Sequence, residues 1–316
     1  MKAMLITGFG GPEVFQLQDV EKPRPEANEV LVKVYASSVN PVDYKIRQAG
    51  EWSGVKPPAV IGYDVSGVVE AIGPGVKDFK VGDEVFYTPD IPGRIGSYGE
   101  YHVAREAIVA HKPKNLSHLE AASIPLAGGT AWDAIITRAK LHVGETVLIH
   151  GGTGGVGSFA IQIARAAGAY VFTTCSEKNR DLAIQLGAHR AIDYTKENFI
   201  DVIQKETNGA GVDVVFDTVG RDTMARSIAI TKIYGRIVGI VDTTGNLFPG
   251  FMKNITLELL FLQRERYKLD YLRALIERGQ IKPHIDSVLP FEKVAEAHNR
   301  LEKGGVTGKI VLQVVK

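Results

Sequence analysis

The pattern of hydrophobic and polar positions changes near residue 117. Before that point, short runs rich in valine, isoleucine and tyrosine are separated by segments that contain proline, glycine and aspartate. Three such runs cover residues 29–37, 60–73 and 100–110. Closely spaced runs of this kind predict an antiparallel barrel or sandwich, so we expect residues 1–117 to form a β-rich domain.

From residue 118 onward, apolar strands alternate with helical segments. The predicted strands cover residues 146–151, 169–175, 190–194, 212–219, 235–241 and 255–262. Strands that are apolar at nearly every position are typical of a parallel sheet covered on both faces. Six of them predict a doubly wound, nucleotide-binding domain over residues 118–262.

The last segment, residues 263–316, mixes helix and strand patterns. It contains predicted helices at 268–279 and 291–304 and a final strand at 308–315. We expect this segment to join residues 1–117 in one domain. The predicted fold class is therefore α/β, with a β-rich domain and a doubly wound parallel-sheet domain.

Composition and charge narrow the class of function. Of the 316 residues, 45% are hydrophobic and 23% are charged, which is typical of a globular protein. The net charge is +1 without a long basic run, which argues against nucleic acid or an anionic membrane as partner. No apolar stretch approaches the ~18 residues of a membrane span. The single cysteine, Cys175, and the absence of a signal-peptide core predict a cytoplasmic location.

A glycine-rich turn follows the first strand of the predicted nucleotide-binding domain. Gly152, Gly154 and Gly157 form a G-x-G-x-x-G pattern between that strand and a predicted helix. Glycines allow a sharp turn and the close approach of a pyrophosphate, while the helix N-terminus offers free N–H groups and partial positive charge. We therefore predict a dinucleotide cofactor here; the alternative is a packed corner between strand and helix.

The end of the second strand bears on the choice between NAD and NADP. Ser176 stands there, followed by Lys178 and Arg180. A small hydroxyl group with nearby cations suits a 2′-phosphate, so NADP(H) is favoured over NAD(H). Glu177 leaves NAD open, because an acid at this position can bind the ribose hydroxyls. Lys178 and Arg180 are alternatively solvated charges at a helix start.

Five segments together resemble one known family. They are residues 40–50, 62–85, 128–135, 151–157 and 308–312. In this order and spacing they resemble the medium-chain dehydrogenases/reductases, in the zinc-independent quinone oxidoreductase (zeta-crystallin-like) branch. The resemblance implies a GroES-like catalytic domain built from both ends of the chain, a central Rossmann domain, and an active site in the cleft between them.

The resemblance also implies cofactor contacts and an oligomer. Homodimers, or dimers of dimers, are common in the family, and the strand at 255–262 would pair across subunits; plain core packing is the alternative. The cofactor contacts would come from the start of a helix, the glycine turn, the ends of the third and fifth strands, and a phosphate-binding position near the C-terminus. These residues are Thr130, Thr153, Gly155, Val156, Tyr194, Gly239, Ile240 and Lys309.

The family's zinc ligands are replaced in this chain. Asn40 stands where zinc-dependent relatives have a cysteine, and Tyr63-Asp64 stands where they have a His-Glu pair. The four-cysteine structural zinc loop is absent, since Cys175 is the only cysteine. Asn40 and Tyr63 are poor zinc ligands, so we expect no metal.

Chemistry without a metal favours conjugated acceptors. A simple ketone needs strong polarisation of its oxygen, whereas hydride adds to a quinone or an α,β-unsaturated carbonyl with only hydrogen-bond donors at the oxygen. The predicted function is an NADPH-dependent reductase of such small hydrophobic acceptors. Asn40 would orient water, the nicotinamide carboxamide or the substrate; it is alternatively a turn residue before Pro41. A zinc-type alcohol dehydrogenase and a non-enzymatic NADPH-binding protein are the other candidates.

Lys45 marks a departure from the better-known bacterial quinone oxidoreductases, which have tyrosine at this position. Relatives that resemble plant enone and alkenal reductases share the lysine. An ammonium near a developing enolate is an electrophile and a proton source, which moves the substrate prediction toward enones. Lys45 is alternatively a surface cation, or pairs with Asp43 or with Asp64. Tyr63 would donate a hydrogen bond or line the pocket, whose hydrophobic character is indicated by loop aromatics such as Tyr98 and Phe248.

Overall fold

Sixteen strands are present in the computed structural model, which describes residues 1–315. They are β1 (Lys2–Ile6), β2 (Phe15–Asp19), β3 (Glu29–Ser38), β4 (Ala59–Val60), β5 (Val65–Ile72), β6 (Glu84–Tyr87), β7 (Tyr101–Arg105), β8 (Ala110–His111), β9 (Thr146–His150), β10 (Tyr170–Cys175), β11 (Arg190–Asp193), β12 (Val212–Asp217), β13 (Thr231–Gly239), β14 (Thr256–Leu259), β15 (Ile285–Pro290) and β16 (Lys309–Gln313).

Ten α-helices accompany these strands within residues 1–315. They are α1 (Pro41–Ala49), α2 (His118–Ala122), α3 (Pro125–Trp132), α4 (Gly155–Ala166), α5 (Arg180–Gln185), α6 (Phe199–Glu206), α7 (Thr223–Ser227), α8 (Phe248–Met252), α9 (Arg266–Glu277) and α10 (Val294–Lys303). A π-helical segment, Asp133–Arg138, continues α3. None of the described helices has the length and apolar character that crossing a bilayer requires.

Unit 2 of the chain, Gly128–Leu262 with Gln280–Lys282, contains one six-stranded sheet. Its strand order is β11-β10-β9-β12-β13-β14, and every pair is parallel. Buried apolar side chains such as Leu148 and Phe172 pack with residues of α6 on one face. This is the order of a doubly wound nucleotide-binding sheet, so the predicted Rossmann architecture is confirmed.

Unit 1 comprises Met1–Ala127, Gln263–Gly279 and residues 283–315. Its main sheet has the order β15-β16-β3-β5-β6-β8, with β7 also paired to β3, and a second sheet has the order β2-β1-β4. Because β16 pairs antiparallel with β3, the C-terminal segment completes a sheet begun near the N-terminus. The predicted GroES-like, β-rich fold is confirmed, and strands from both ends of the chain contribute to its main sheet.

Two features of unit 1 differ from the sequence prediction. The expected strand at 60–73 is broken into β4 and β5 by Gly62, whose φ is +105°. Any Cβ there would lie 2.5 Å from Ser97 Oγ, so the backbone can turn only with glycine. In addition, unit 1 extends past residue 117 to Ala127, because Ala122 of α2 packs against Ala36 and Val311.

Candidate functional site: a cofactor turn and a buried polar cluster

The glycine turn, residues 151–157, joins β9 to α4. Gly151 has φ +71°, which glycine adopts without strain. A Cβ on Gly152 would lie 1.9 Å from Thr173 Oγ1, and a Cβ on Gly157 would lie 2.3 Å from the Gly151 carbonyl oxygen. Two glycines of the motif are therefore required by the close packing of the turn against β10 and against its own helix.

The N-terminus of α4 suits an anion. Gly154 caps this helix without a side chain, and the first turn contains no acidic residue. Gly155 and Val156 are partly exposed, and the N–H groups of a first turn have no acceptor inside the helix. Thr153 is buried, and its hydroxyl accepts a hydrogen bond from Asn179 Nδ2 at 3.2 Å, which ties the turn to the loop after β10. The residues present thus fit a dinucleotide pyrophosphate.

The loop after β10 places cations near a hydroxyl group. Ser176 precedes a short helical turn, and Lys178 is exposed. The two carboxylate oxygens of Glu177 lie 3.1 Å from Lys196 Nζ and 3.6 Å from an Arg180 nitrogen. Because both of its oxygens are engaged by cations, Glu177 is poorly disposed to bind ribose hydroxyls, and the loop favours a phosphate.

Tyr194 directly follows β11 and lies beside the same loop. Its N–H donates to the Cys175 carbonyl oxygen at 3.2 Å, and its side chain is 64% exposed. Lys196 also lies at the loop after β10, since its ammonium contacts Glu177. It was not predicted, because only the pairing of β10 with β11 brings it close to that loop. The Cys175 thiol is buried, which raises its pKa to about 11 and keeps it neutral.

Three further predicted cofactor residues are packed in unit 2. Thr130 is buried in the second half of α3, so the expectation that it starts a helix is wrong. A Cβ on Gly239 would lie 2.6 Å from Met224 Cε, which gives this glycine a packing role. The Ile240 N–H donates to the Asp217 carbonyl oxygen at 3.2 Å. Contact of these residues with a cofactor stays a prediction.

A buried polar cluster in unit 1 is formed by Ser38, Asn40, Asp64 and Lys309. Asp64 Oδ2 accepts hydrogen bonds from Ser38 Oγ at 2.5 Å, from Asn40 Nδ2 at 2.8 Å and from Lys309 Nζ at 3.4 Å. Its other oxygen accepts from the Leu126 N–H at 2.8 Å. A carboxylate that is 0% exposed thus has four donors, one of them charged, as buried ions require.

Lys309 occupies a different environment from the one that the resemblance implied. Its ammonium is buried and donates to the Val39 carbonyl oxygen at 3.1 Å, to Asn40 Oδ1 and to Asp64. An ammonium has three N–H donors, and these contacts use all of them. In this arrangement the three donors of Lys309 are occupied within unit 1. Its contact with a cofactor phosphate stays a prediction.

The Asn40 amide has one defined orientation. Its Oδ1 accepts from the Lys309 ammonium, and its Nδ2 donates to the Asp64 carboxylate. A flipped amide would point its NH₂ at the ammonium and its oxygen at the carboxylate, so the charges select one rotamer. Asn40 also caps α1, whose first residue is Pro41, which explains the Asn-Pro pair as a helix start.

Lys45 lies on the exposed side of α1. The alternatives that pair it with Asp43 or Asp64 are wrong: Asp64 binds Lys309, and Asp43 accepts from Tyr98 and from the Asn40 N–H. Within residues 1–315, the Lys45 ammonium makes no hydrogen bond or ion pair. Its ammonium is therefore available to a substrate or to solvent, and its catalytic role stays a prediction.

Tyr63 and Asp64 stand in the loop between β4 and β5. Tyr63 is buried, and burial together with the negative charge of Asp43 raises the pKa of its phenol well above the usual range, so it is a neutral donor. Among residues 1–315, no group of three or more His, Cys, Asp or Glu side chains is arranged to hold a metal ion.

Tyr98 does not line a loop pocket as its sequence position indicated. It is fully buried, and its hydroxyl donates to Asp43 Oδ2 at 2.7 Å and lies 3.1 Å from His298 Nε2. Arg47, also fully buried, lies on the other side of His298. These residues are far apart in the chain and form no local motif, so the sequence did not predict that they lie together.

Comparison with known proteins covers both units. The family described as "Alcohol dehydrogenase GroES-like domain" matches residues 26–114, and the family described as "Zinc-binding dehydrogenase" matches residues 186–312. The chain is 36% identical to human quinone oxidoreductase, over 99% of this chain and 97% of that protein. It is 39% identical to the 2-methylene-furan-3-one reductase of Solanum lycopersicum, over 100% of this chain and 79% of that protein.

A solved structure extends the comparison to a cofactor complex. The Escherichia coli quinone oxidoreductase complexed with NADPH superimposes with a TM-score of 0.90 at 29% identity, covering 99% of this chain and 100% of that chain. The likeness spans the whole chain, including the glycine turn and both segments of the β-rich domain.

Proposed function

The chain belongs to the medium-chain dehydrogenase/reductase family, in the group of quinone oxidoreductases and enone reductases, and we propose that it is an NADPH-dependent reductase of quinones or α,β-unsaturated carbonyls. The observation that carries the proposal is the open N-terminus of α4 behind the glycine turn, in a sheet of Rossmann order. The names of the relatives support the substrate class.

NADPH is proposed rather than NADH because of the loop after β10. Ser176, Lys178, Arg180 and Lys196 offer a hydroxyl group and three cations to a 2′-phosphate, and Glu177 is engaged by two of those cations. A relative solved with NADPH has the same fold. We expect the rate with NADPH to exceed the rate with NADH, and added salt to reduce the difference, since these charges are partly exposed.

The proposed reaction needs a bound cofactor and a group that stabilises charge on the acceptor. Bound NADPH supplies a hydride, and the acceptor also takes up one proton, giving a saturated carbonyl or a hydroquinone. In unit 1, the Asn40 amide is held by two charged partners but retains one N–H and one oxygen lone pair for substrate or water. Such a preorganised donor stabilises charge that develops on the acceptor oxygen.

Lys45 favours enones over quinones as the physiological acceptors. Its exposed ammonium is free of intramolecular ion pairs within residues 1–315 and can stabilise an enolate and return a proton. The tomato relative is named as the reductase of a compound that is itself an enone. We therefore propose enone or enal reduction as the main activity and quinone reduction as a second one.

The reaction is proposed to need no zinc. The amide of Asn40 and the neutral phenol of Tyr63 are weak zinc ligands, and the Asp64 carboxylate is already bound by four donors. Chelation should therefore leave turnover unchanged. Loss of turnover on chelation, with recovery on adding zinc, would favour the zinc-type alcohol dehydrogenase instead.

The test is NADPH oxidation followed at its absorbance band with four acceptors: 1,4-benzoquinone, 9,10-phenanthrenequinone, trans-2-hexenal and an alkyl vinyl ketone. Turnover with at least one acceptor is expected, with the carbonyl compounds preferred. The Gly157→Ala variant serves as a control whose cofactor turn is disrupted. NADPH binding without oxidation of any acceptor would favour a non-enzymatic role.

We further propose a homodimer and a cytoplasmic location. β14 is an edge strand of the unit 2 sheet, and Leu259 on it is 67% exposed. Such an exposed apolar edge is stabilised by pairing with a second copy. The location is supported by the cysteine content, since the single cysteine, Cys175, is buried and forms no disulfide within the described chain.

A further inference from the structure

A chain of buried polar groups leads from α10 to the start of α1. Tyr98 Oη lies 2.7 Å from Asp43 Oδ2 and 3.1 Å from His298 Nε2. His298 Nδ1 lies 3.3 Å from an Arg47 guanidinium nitrogen. Tyr98, His298, Asp43 and Arg47 are each 0% exposed. We call these four residues the positioning chain.

Arg47 sets the direction of every hydrogen bond in the positioning chain. A guanidinium only donates, so His298 Nδ1 must be the acceptor, and the single ring proton resides on Nε2. His298 Nε2 therefore donates to Tyr98, whose hydroxyl donates to Asp43. Burial lowers the pKa of His298 to about 3, so the ring stays neutral and the direction persists at physiological pH.

Arg47 is itself fixed at both ends. Its Nε donates to the Gly10 carbonyl oxygen at 3.1 Å, and a second nitrogen lies 2.7 Å from Glu302 Oε1 on α10. The positive charge is thus anchored, and its polarising effect passes through two neutral groups to the Asp43 carboxylate.

Asp43 connects the positioning chain to the buried polar cluster described above. The oxygen that accepts from Tyr98 also accepts from the Asn40 N–H, at 2.7 Å. Asn40 is the residue whose amide contacts Lys309 and Asp64. The other Asp43 oxygen is buried and has no hydrogen-bond partner in the described part of the chain. The Asn40 main chain is therefore held by a carboxylate whose own position depends on Tyr98.

We propose that Tyr98 and His298 are positioning residues for the reduction: through Asp43 they hold the Asn40 main chain, and with it the Asn40 amide, in its working orientation. This inference rests on the proposed function. Neither Tyr98 nor His298 reaches the amide directly, so each acts through Asp43.

The charges around Asp43 predict how the pH dependence of activity should change when the Tyr98 hydroxyl is lost. Burial raises the pKa of Asp43 to about 7, while the hydrogen bonds from Tyr98 and Asn40 and the charge of Lys309 lower it; Asp64 acts in the opposite direction. Protonation removes the charge that anchors the Asn40 N–H, so activity should fall on the acidic side. Loss of the Tyr98 hydroxyl removes a lowering contribution, which moves that acidic limb to higher pH.

The experiment compares two buried tyrosine–histidine pairs of unit 1. Tyr98→Phe removes the hydroxyl that reaches Asp43. Tyr87→Phe is the matched control, since Tyr87 is also 0% exposed and its hydroxyl lies 2.9 Å from His102 Nδ1, outside the positioning chain. For each variant, kcat, KM for NADPH and the pH profile of kcat are measured with the preferred acceptor.

Tyr98→Phe should lower kcat about tenfold, because small misplacement of a catalytic group has large effects, while KM for NADPH stays within about twofold. The acidic limb of its kcat profile should lie at higher pH than in the parent. Tyr87→Phe should match the parent in kcat and in the pH profile. His298→Phe should resemble Tyr98→Phe, whereas His298→Gln, which retains one donor and one acceptor, should recover part of kcat.

Two failures are distinguishable. If the parent protein binds NADPH but reduces no acceptor, the proposed function falls, and the positioning role falls with it. If the parent is active and Tyr98→Phe has the same kcat and pH profile as Tyr87→Phe, only the positioning role is overturned. Equal losses in His298→Gln and His298→Phe would likewise contradict a role for the hydrogen bonds.

Discussion

The Asp64 carboxylate depends on donors from three distant segments of the chain. Ser38 ends β3 and Asn40 caps the helix α1 that follows it, whereas Leu126 comes from α3 and Lys309 from β16. Lys309 is the only one of these donors that carries charge. Lys309 and Asp64 therefore form a buried ion pair. Loss of one member should change the free energy of unfolding differently from loss of both.

Replacing one member tests this dependence. Lys309→Met should reduce the free energy of unfolding by about 3 kcal/mol or more, because it leaves a buried charge without its counter-ion. Urea unfolding followed by circular dichroism measures the loss. Adding Asp64→Asn to Lys309→Met should recover part of it, whereas strictly additive losses in the double variant would show that the two groups are not coupled.

Lys45 offers a second test at the level of single residues. Lys45→Ala should slow NADPH-dependent enone reduction by about tenfold or more, in the range that general acid catalysis and charge stabilisation contribute. Lys303→Ala is the control, since Lys303 is another exposed lysine on a helix of unit 1. A rate within about twofold of the parent for Lys45→Ala would remove Lys45 from the mechanism.

At this scale, sequence reasoning found the residues that stand within local motifs. It proposed Asn40, Lys45 and Asp64 as catalytic candidates and the glycine turn as a phosphate site, and these roles stay predictions. It missed His298 and Lys196, and it did not predict that Lys309 contacts Asp64. The hydrogen bond between Lys309 and Asp64 spans 245 positions, and neither residue's local context indicates the other.

The glycine turn is the element on which cofactor binding depends, and two of its glycines should respond differently to alanine. In Gly157→Ala the new Cβ would meet the Gly151 backbone at 2.3 Å, so the turn must open and NADPH affinity should fall by more than tenfold, with loss of stability. Tryptophan-fluorescence titration with NADPH and thermal unfolding measure both effects.

Gly154→Ala is the comparison variant for that experiment. Its Cβ would come no closer to the protein than 3.3 Å, and its φ of −77° suits alanine, so the fold should persist. Equal melting temperatures for Gly157→Ala and the parent would contradict the packing role of Gly157.

The two units differ in how well their elements could be predicted. In unit 2, long apolar strands and a glycine turn are local signals, and all six strands were found. In unit 1, β1, β2, β6 and β15 were missed, and the expected strand at 60–73 is interrupted at Gly62. The residues that exclude a side chain at Gly62 are Ser97 and Tyr98, which are distant in sequence, so no local pattern could reveal this break.

At the scale of the whole molecule, buried histidines should set the acid stability. Burial lowers the pKa values of His150 and His298 to about 3 and that of His102 to about 4. The unfolded chain binds these protons first as the pH falls below about 6.5, so the free energy of unfolding should fall by about 1.4 kcal/mol per pH unit for each histidine.

Asp43 has the opposite effect on the free energy of unfolding as the pH falls. Between about pH 4 and 7, Asp43 is protonated in the folded state but ionised in the unfolded state, because its pKa is raised to about 7 on folding. The folded state is therefore stabilised by this group as the pH falls through that range. Asp43→Asn should therefore make stability fall more steeply between pH 6.5 and 5. Urea midpoints at three pH values measure the slope, and an unchanged slope would contradict the assigned pKa of Asp43.

The proposed dimer is tested at the edge of the unit 2 sheet. Leu259→Glu places a charge on the exposed edge strand β14 and should yield monomers in sedimentation velocity. Leu17→Glu is the control, because Leu17 is a 43% exposed leucine on β2, an edge strand of unit 1. Dimers in both variants, or monomers in the parent, would contradict an interface at β14.

The split composition of unit 1 has a consequence for biosynthesis. Residues 128–262 are contiguous, so this segment can fold while the ribosome is still translating. Asp64 is synthesised early and has no counter-ion until β16 has left the exit tunnel, because Lys309 follows it by 245 residues. We therefore expect nascent chains to contain a folded unit 2 while unit 1 is still incomplete. Chaperones should then bind chiefly to the unpaired amino-terminal strands of unit 1.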